Sequence, residues 1–120
     1  MADRVLFIGW GQVVRGREEH AIEVFDEAVG FYGRCQQEGR IERFDVVLLQ
    51  PNAGMNGYIE LHGAAEQLAA LREDDAFQRL LADSALIVDD LTLVDGLTDA
   101  AIAHQMEIFR DASAKVPQAH

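Results

Sequence analysis

The order of apolar runs predicts an α+β fold: a ferredoxin-like β-α-β-β-α-β arrangement with a four-stranded antiparallel sheet and an extra C-terminal helix. Three observations predict it. Four short apolar stretches have the length and the β-branched or aromatic content of strands. Two longer stretches, one after the first run and one after the third, repeat apolar residues at the spacing of an amphipathic helix. An Asn-Gly pair stands between the second and third runs, where a hairpin is needed.

The first strand is Val5 to Trp10, bounded by glycines. A helix follows from Arg17 to Glu38, its apolar stripe carried by Ile22, Phe25, Val29 and Tyr32 and widened by Ala21, Ala28 and Cys35. Glu18 and Glu19 suit the positive end of its dipole, and Gly39 suits its end. The second strand lies in Ile41 to Gln50 and stops at Pro51. Asn56-Gly57 then turns the chain into a third strand, Tyr58 to His62, which alternates. Ala64 to Leu86 reads as a helix broken at Glu73-Asp74-Asp75, with Asp74 or Asp75 capping the second piece. Ile87 to Val94 is the fourth strand, closed by Asp95-Gly96, and Thr98 caps a last helix bearing Ile102, Met106 and Phe109.

A chain of 120 residues with 49% apolar content supplies one core. The expected domain is 1–112, and 113–120 is read as a flexible tail. A net charge of -11 with scattered basic residues argues against a nucleic-acid partner. One cysteine excludes an intrachain disulfide framework and a four-cysteine metal cluster, and fits a reducing compartment; with no apolar run long enough to span a bilayer, the expected location is the cytoplasm and no membrane partner is expected. Cys35 lies on an apolar stripe and reads as an inert thiol.

Strands one, two and four are apolar at both parities, as if both faces of the sheet were covered. One chain of this length has no spare layer beyond its final helix, so a second copy is the expected cover and a homodimer the expected assembly. The element order from Arg4 to Asp95 and the doubly apolar sheet resemble the dimeric α+β barrel superfamily, which includes antibiotic-biosynthesis monooxygenase-like and stress-responsive barrel proteins. The resemblance implies two facing sheets and a small-molecule pocket, either between sheet and helix or inside the barrel. The Asn, Trp and His sets of its haem-degrading and quinone-forming members find no match here residue by residue, so their chemistry is not carried over.

The sharpest chemical candidates lie on strand three. If Ile59 and Leu61 face the helices, Tyr58, Glu60 and His62 face the other way. An imidazole titrating near neutrality, a carboxylate that can fix its tautomer and a phenol that can donate to a substrate oxygen form a catalytic set; the same alternation arises from a solvated sheet face. Arg43 and Asp45 of strand two, and Asp90 and Thr92 of strand four, are expected on that side, with Arg43, Asp45 and Thr92 as ligand-binding residues. Trp10, between Gly9 and Gly11, reads either as a flat wall for an aromatic ligand or as a core or interface aromatic. Gly9, Gly11 and Gly16 form no nucleotide loop, because Val14 stands where the third glycine is required. His20, Glu23 and Glu27, like His104, Glu107 and Asp111, share a helix face without converging as a metal site must, so neither metal nor cofactor is expected. The reading is a dimeric protein binding a small, partly apolar molecule, with cofactor-independent oxygenase or isomerase chemistry; the alternative is a non-catalytic ligand-binding or assembly protein whose sheet face serves dimerisation only.

Overall fold

The computed structural model describes residues 1–117. The elements run β1 (Arg4–Trp10), α1 (Glu18–Gln37), β2 (Arg43–Leu48), β3 (Gly57–Gly63), α2 (Ala65–Arg72), α3 (Asp75–Ala85), β4 (Thr92–Leu97) and α4 (Ala100–Ser113). The sheet order is β2-β3-β1-β4 with every neighbour antiparallel, which is the ferredoxin-like α+β fold.

One face of the sheet carries Leu6 and Ile8 of β1 and Ile59 and Leu61 of β3, all buried, and α1, α2 and α3 pack on it. Phe77 of α3 reaches Tyr32 of α1 at 6.4 Å between ring centroids, joining the two helices over the sheet. The opposite face carries Val5, Phe7 and Gly9, flanked in register by Tyr58, Glu60 and His62 and by Thr92, Val94 and Gly96, and among the described residues no helix packs along it.

α1 is shaped by its ends. Glu18 Oε1 accepts from the Gly16 amide at 3.0 Å, and Gly39, at φ +72°, lets the Arg40 amide return to the Cys35 carbonyl at 2.8 Å and the Gly39 amide to Gln36. Its buried face is Ala21, Val24, Ala28, Tyr32 and Cys35. Ile22, expected in that stripe, is 63% exposed; it sits one residue, or about 100°, round from Ala21.

The helix break falls as expected, with Asp74 as the cap: its carboxylate accepts from the Ala76 amide at 3.0 Å and pairs with Arg40 at 2.5 Å. The hydrogen bond from Arg40, aided by that amide, holds the Asp74 carboxyl below its usual value. A group whose folded pKa is depressed stabilises above its unfolded value, near 4, and loses that contribution as pH falls through the folded value. Asp74→Asn is therefore expected to lower Tm by a few degrees at pH 7 and by progressively less below pH ~4, measured as Tm against pH.

Three expectations are corrected. Asn56-Gly57 is not the hairpin turn, for neither adopts positive φ. The connection runs from Leu49 to Asn56 and is closed by Asn52, whose amide donates to the Gln50 and Met55 carbonyls at 2.8 Å and whose oxygen accepts from the Gly54 amide at 2.7 Å. Gly57 is a strand residue instead, because a Cβ there would lie 2.7 Å from Trp10 and 2.8 Å from the Val47 carbonyl oxygen.

The fourth strand is Thr92–Leu97, so Asp95 and Gly96 lie inside it and Ile87 and Val88 precede it. The run is interrupted at Asp90, at φ +55°, and Val88 bridges Val13 in a separate two-loop ladder. Gly96 fits because a Cβ there would meet Val5 at 2.8 Å.

The residue flanking α4 is Asp99, at φ +50° and without a side-chain cap, rather than Thr98, whose hydroxyl is buried without a partner while its amide donates to Asp3. α4 continues to Ser113, the first residue of the expected tail, and single turns follow to Val116; residues 118–120 of that tail lie outside the described residues. Among the described residues no helix is long and apolar enough to cross a membrane.

Candidate functional site

A cavity of about 360 Å³ opens between the helix-covered face of the sheet and α1 and α3. It exists because α1 presents alanines, Ala21 and Ala28, where larger side chains would fill the gap down to Ile8 and Ile59. Trp10 forms one wall, held edge-on by Phe25 at 6.3 Å between centroids. The lining is almost wholly apolar. Ser84 is satisfied internally, donating to Leu80 at 2.8 Å, so Tyr32 supplies the phenol of the inner wall and Glu18 a carboxylate at the rim. Burial pushes the Tyr32 phenol well above its ordinary value, so it stays protonated and can only donate or accept a hydrogen bond there. The backbone hydrogen bond from Gly16 holds the Glu18 carboxyl below its usual value, so it stays ionised. Ile22 and Leu48, both mostly exposed, rim the opening.

The strand-three candidates lie on the other side of the sheet. Tyr58, Glu60 and His62 point away from the helices, as the alternation of Ile59 and Leu61 requires. Tyr58 stacks against Phe7 at 5.1 Å between centroids. Asp45 stands directly opposite Glu60 in the ladder, and Arg43 opposite His62. The Arg43 guanidinium bonds Asp45, whose Oδ2 also lies 3.4 Å from His62 Nε2. That contact has the distance of an ion pair but not the geometry of a hydrogen bond, and Nε2 is buried with no hydrogen-bonding partner, so the pair is loosely made. Asp45, Glu60 and His62 offer ligand atoms within 4.8 Å of one another. Arg43 already occupies the cationic position beside Asp45, which competes with a metal there.

The structure thus brings together Tyr58, Glu60, His62, Arg43 and Asp45, and places two candidates elsewhere. Trp10 faces the cavity on the opposite side of the sheet. Thr92 is in the edge strand β4, two strands from β3, and its hydroxyl donates to the Asp90 carbonyl at 3.0 Å. The glycines beside Trp10 serve packing: a Cβ at Gly9 would meet Phe7 at 2.7 Å, and one at Gly11 the Asp89 carbonyl at 3.1 Å. His20 and His104 pair with Glu23 and Glu107 on exposed helix faces. Tyr32 and Ala28 were not singled out as site residues by sequence reasoning, although two alanines a heptad apart on a long apolar stripe are the mark of a helix that leaves room beneath it.

The element order and sheet topology define a ferredoxin-like α+β protein, with a small-molecule-sized hollow under α1. No family profile matches the chain, and no curated protein does. Solved structures do. A conserved protein from Methanosarcina mazei matches with a TM-score of 0.63 at 10% identity, over 82% of this chain and 95% of its own. A dimeric protein of unknown function and ferredoxin-like fold from Bacteroides fragilis matches with a TM-score of 0.59 at 12% identity, over 78% and 95%. SnoaB, a cofactor-independent oxygenase from Streptomyces nogalater, matches with a TM-score of 0.52 at 17% identity, over 82% and 94%. At these identities the likeness is one of fold.

Proposed function

We propose that this protein is a homodimer that holds a small apolar, ring-bearing molecule in the cavity beneath α1 and acts on it as a cofactor-independent oxygenase. The observation that carries the reading is the cavity itself: about 360 Å³, walled by Trp10, Phe25 and aliphatic side chains, with the protonated Tyr32 phenol inside. Ligand sites are typically ~300–1,000 Å³, mainly apolar, with few polar groups to orient the guest. A phenol that remains protonated can donate to a carbonyl or phenolic oxygen and stabilise the negative charge that develops there when the substrate loses a proton. Such an electron-rich substrate supplies the electrons itself: a CH2 group and O2 become a C=O group and water. SnoaB, described as a cofactor-independent oxygenase, shares the fold and supports this chemistry over others.

The open face supports the dimer. Phe7, Tyr58 and Val47 lie there without a helix over them, and the Bacteroides fragilis structure of the same fold is described as dimeric. In the dimer, Glu60 and His62, with Asp45 and Arg43, form a polar cluster between the sheets, available for proton transfer.

Trp10 is the only tryptophan and lines the cavity, so its emission reports occupancy directly. N-phenyl-1-naphthylamine, an uncharged aromatic probe, is expected to quench Trp10 by energy transfer with one site per chain. Ala28→Phe fills the hollow and is expected to weaken that binding tenfold or more while leaving the fold intact. Equal affinity in the variant would place the probe elsewhere and remove the cavity as the ligand site. Native mass spectrometry of freshly purified protein adds the assembly and any retained ligand: a dimer carrying extra non-covalent mass is the expected result.

A further inference from the structure

α4 is a helix with an apolar face that, among the described residues, is left largely unburied. At 100° per residue, Ile108, Ala101, Phe109, Ile102 and Met106 fall within an arc of about 160°, and His104, Glu107, Arg110 and Asp111 fall outside it. Only Ala101 of that arc is buried; Ile102, Met106, Ile108 and Phe109 are 43–63% exposed. No element of the body packs extensively along α4, and the chain measures 56 × 37 × 22 Å with a radius of gyration of 17.4 Å, against about 14 Å for a compact chain of this length. A lone helix of 14 residues is marginal in water, because nucleation is not repaid over so few turns. Its apolar arc therefore requires a surface.

We infer that α4 is an arm that packs on a second copy of this chain, extending the dimer contact of the open sheet face, on which reading the inference rests. Three observations select a second copy. The first is charge: residues 1–99 carry the whole net charge of -11, while in 100–120 Glu107 and Asp111 are balanced by Arg110 and Lys115. Two like-charged bodies meet with least repulsion where each is neutral, and a basic foreign partner would be drawn to the acidic body instead. The second is area. A four-stranded face with strands ~4.8 Å apart and about six residues long projects roughly 400 Å², and α4 adds ~200 Å², moving the contact toward the ~800 Å² per partner of a stable interface. The third is continuity: Val94, 51% exposed on the open face, stands in β4, the strand that leads directly into α4, so apolar surface of that face borders the root of the helix.

The test compares the full chain with Val47→Glu on the sheet face and with the double variant I102E/F109E on α4, by sedimentation equilibrium and by hydrogen exchange at concentrations above and below the dimer dissociation constant. The double variant is expected to dissociate tenfold or more readily, and α4 amides to exchange slowly only at dimeric concentrations. Because both replaced side chains are exposed within one chain, the monomer should keep its thermal midpoint. A dimer lost in Val47→Glu but unchanged in the double variant would overturn the arm while leaving the dimer standing. α4 amides exchanging alike at both concentrations would overturn it too. A wild-type chain that stays monomeric would remove both the dimer and the arm. Loss of assembly in the double variant alone would establish the arm and exclude the sheet face.

Discussion

Phe77→Ala is expected to lower the free energy of unfolding by about 3–5 kcal/mol, read from chemical denaturation midpoints at unchanged slope. Phe77 is 1% exposed and is the ring of α3 that meets Tyr32 of α1 over the centre of the sheet. Tyr32 in turn lies 6.1 Å from Phe44 of β2 and 5.6 Å from Phe31, so removing one ring leaves a void bordered by stiff aromatics that cannot collapse into it. The cost therefore sits at the upper end for a large-to-small change, and against a total stability of ~5–15 kcal/mol it is large. A midpoint within experimental error of wild type would mean that α3 is not packed on α1 as described.

Gly57→Ala is expected to cost about 1–3 kcal/mol and to change the emission of Trp10. The added methyl would meet Trp10 Cζ2 at 2.7 Å and the Val47 carbonyl oxygen at 2.8 Å. The indole can swing aside, but the carbonyl belongs to the β2–β3 ladder and cannot. The displacement moves the wall of the cavity, so probe affinity should fall with stability. An alanine variant with wild-type stability and unshifted emission would show that Trp10 does not lie across Gly57.

Those two sites also show what a sequence can and cannot reveal. Element order, the broken second helix and the outward orientation of Tyr58, Glu60 and His62 follow from local periodicity and capping, and the structure agrees with each. The Asn56-Gly57 hairpin failed because a turn-forming dipeptide was needed for a different purpose, close contact with a tryptophan 47 positions earlier in the chain. The fourth strand was misplaced because Ile87 and Val88 are apolar for the cavity and the core rather than for the ladder. The three-and-four spacing places Ile22 in the stripe with Phe25, Val29 and Tyr32, and only the phase of α1 against the sheet decides that Val24 is buried instead. The cavity itself was out of reach. A hollow is the absence of side chains from three elements at once, and no one segment records it.

The short ladder between the two loops at the end of the cavity bears on how a guest enters. Gly11 donates to Asp89, Val14 to Ile87, and Asp89 back to Gln12, each at 2.8 Å, and Val13, Ile87 and Val88 of this clasp line the cavity. It is separate from the main sheet, so its three hydrogen bonds can open without disturbing β1 or β4. Opening of so few bonds lies at the low end of the range of local unfolding energies, far below the global value. For the proposed ligand site this means that the mouth at Ile22 and Leu48 can widen by a local opening of the clasp, so guest exchange is expected to need no unfolding of the domain.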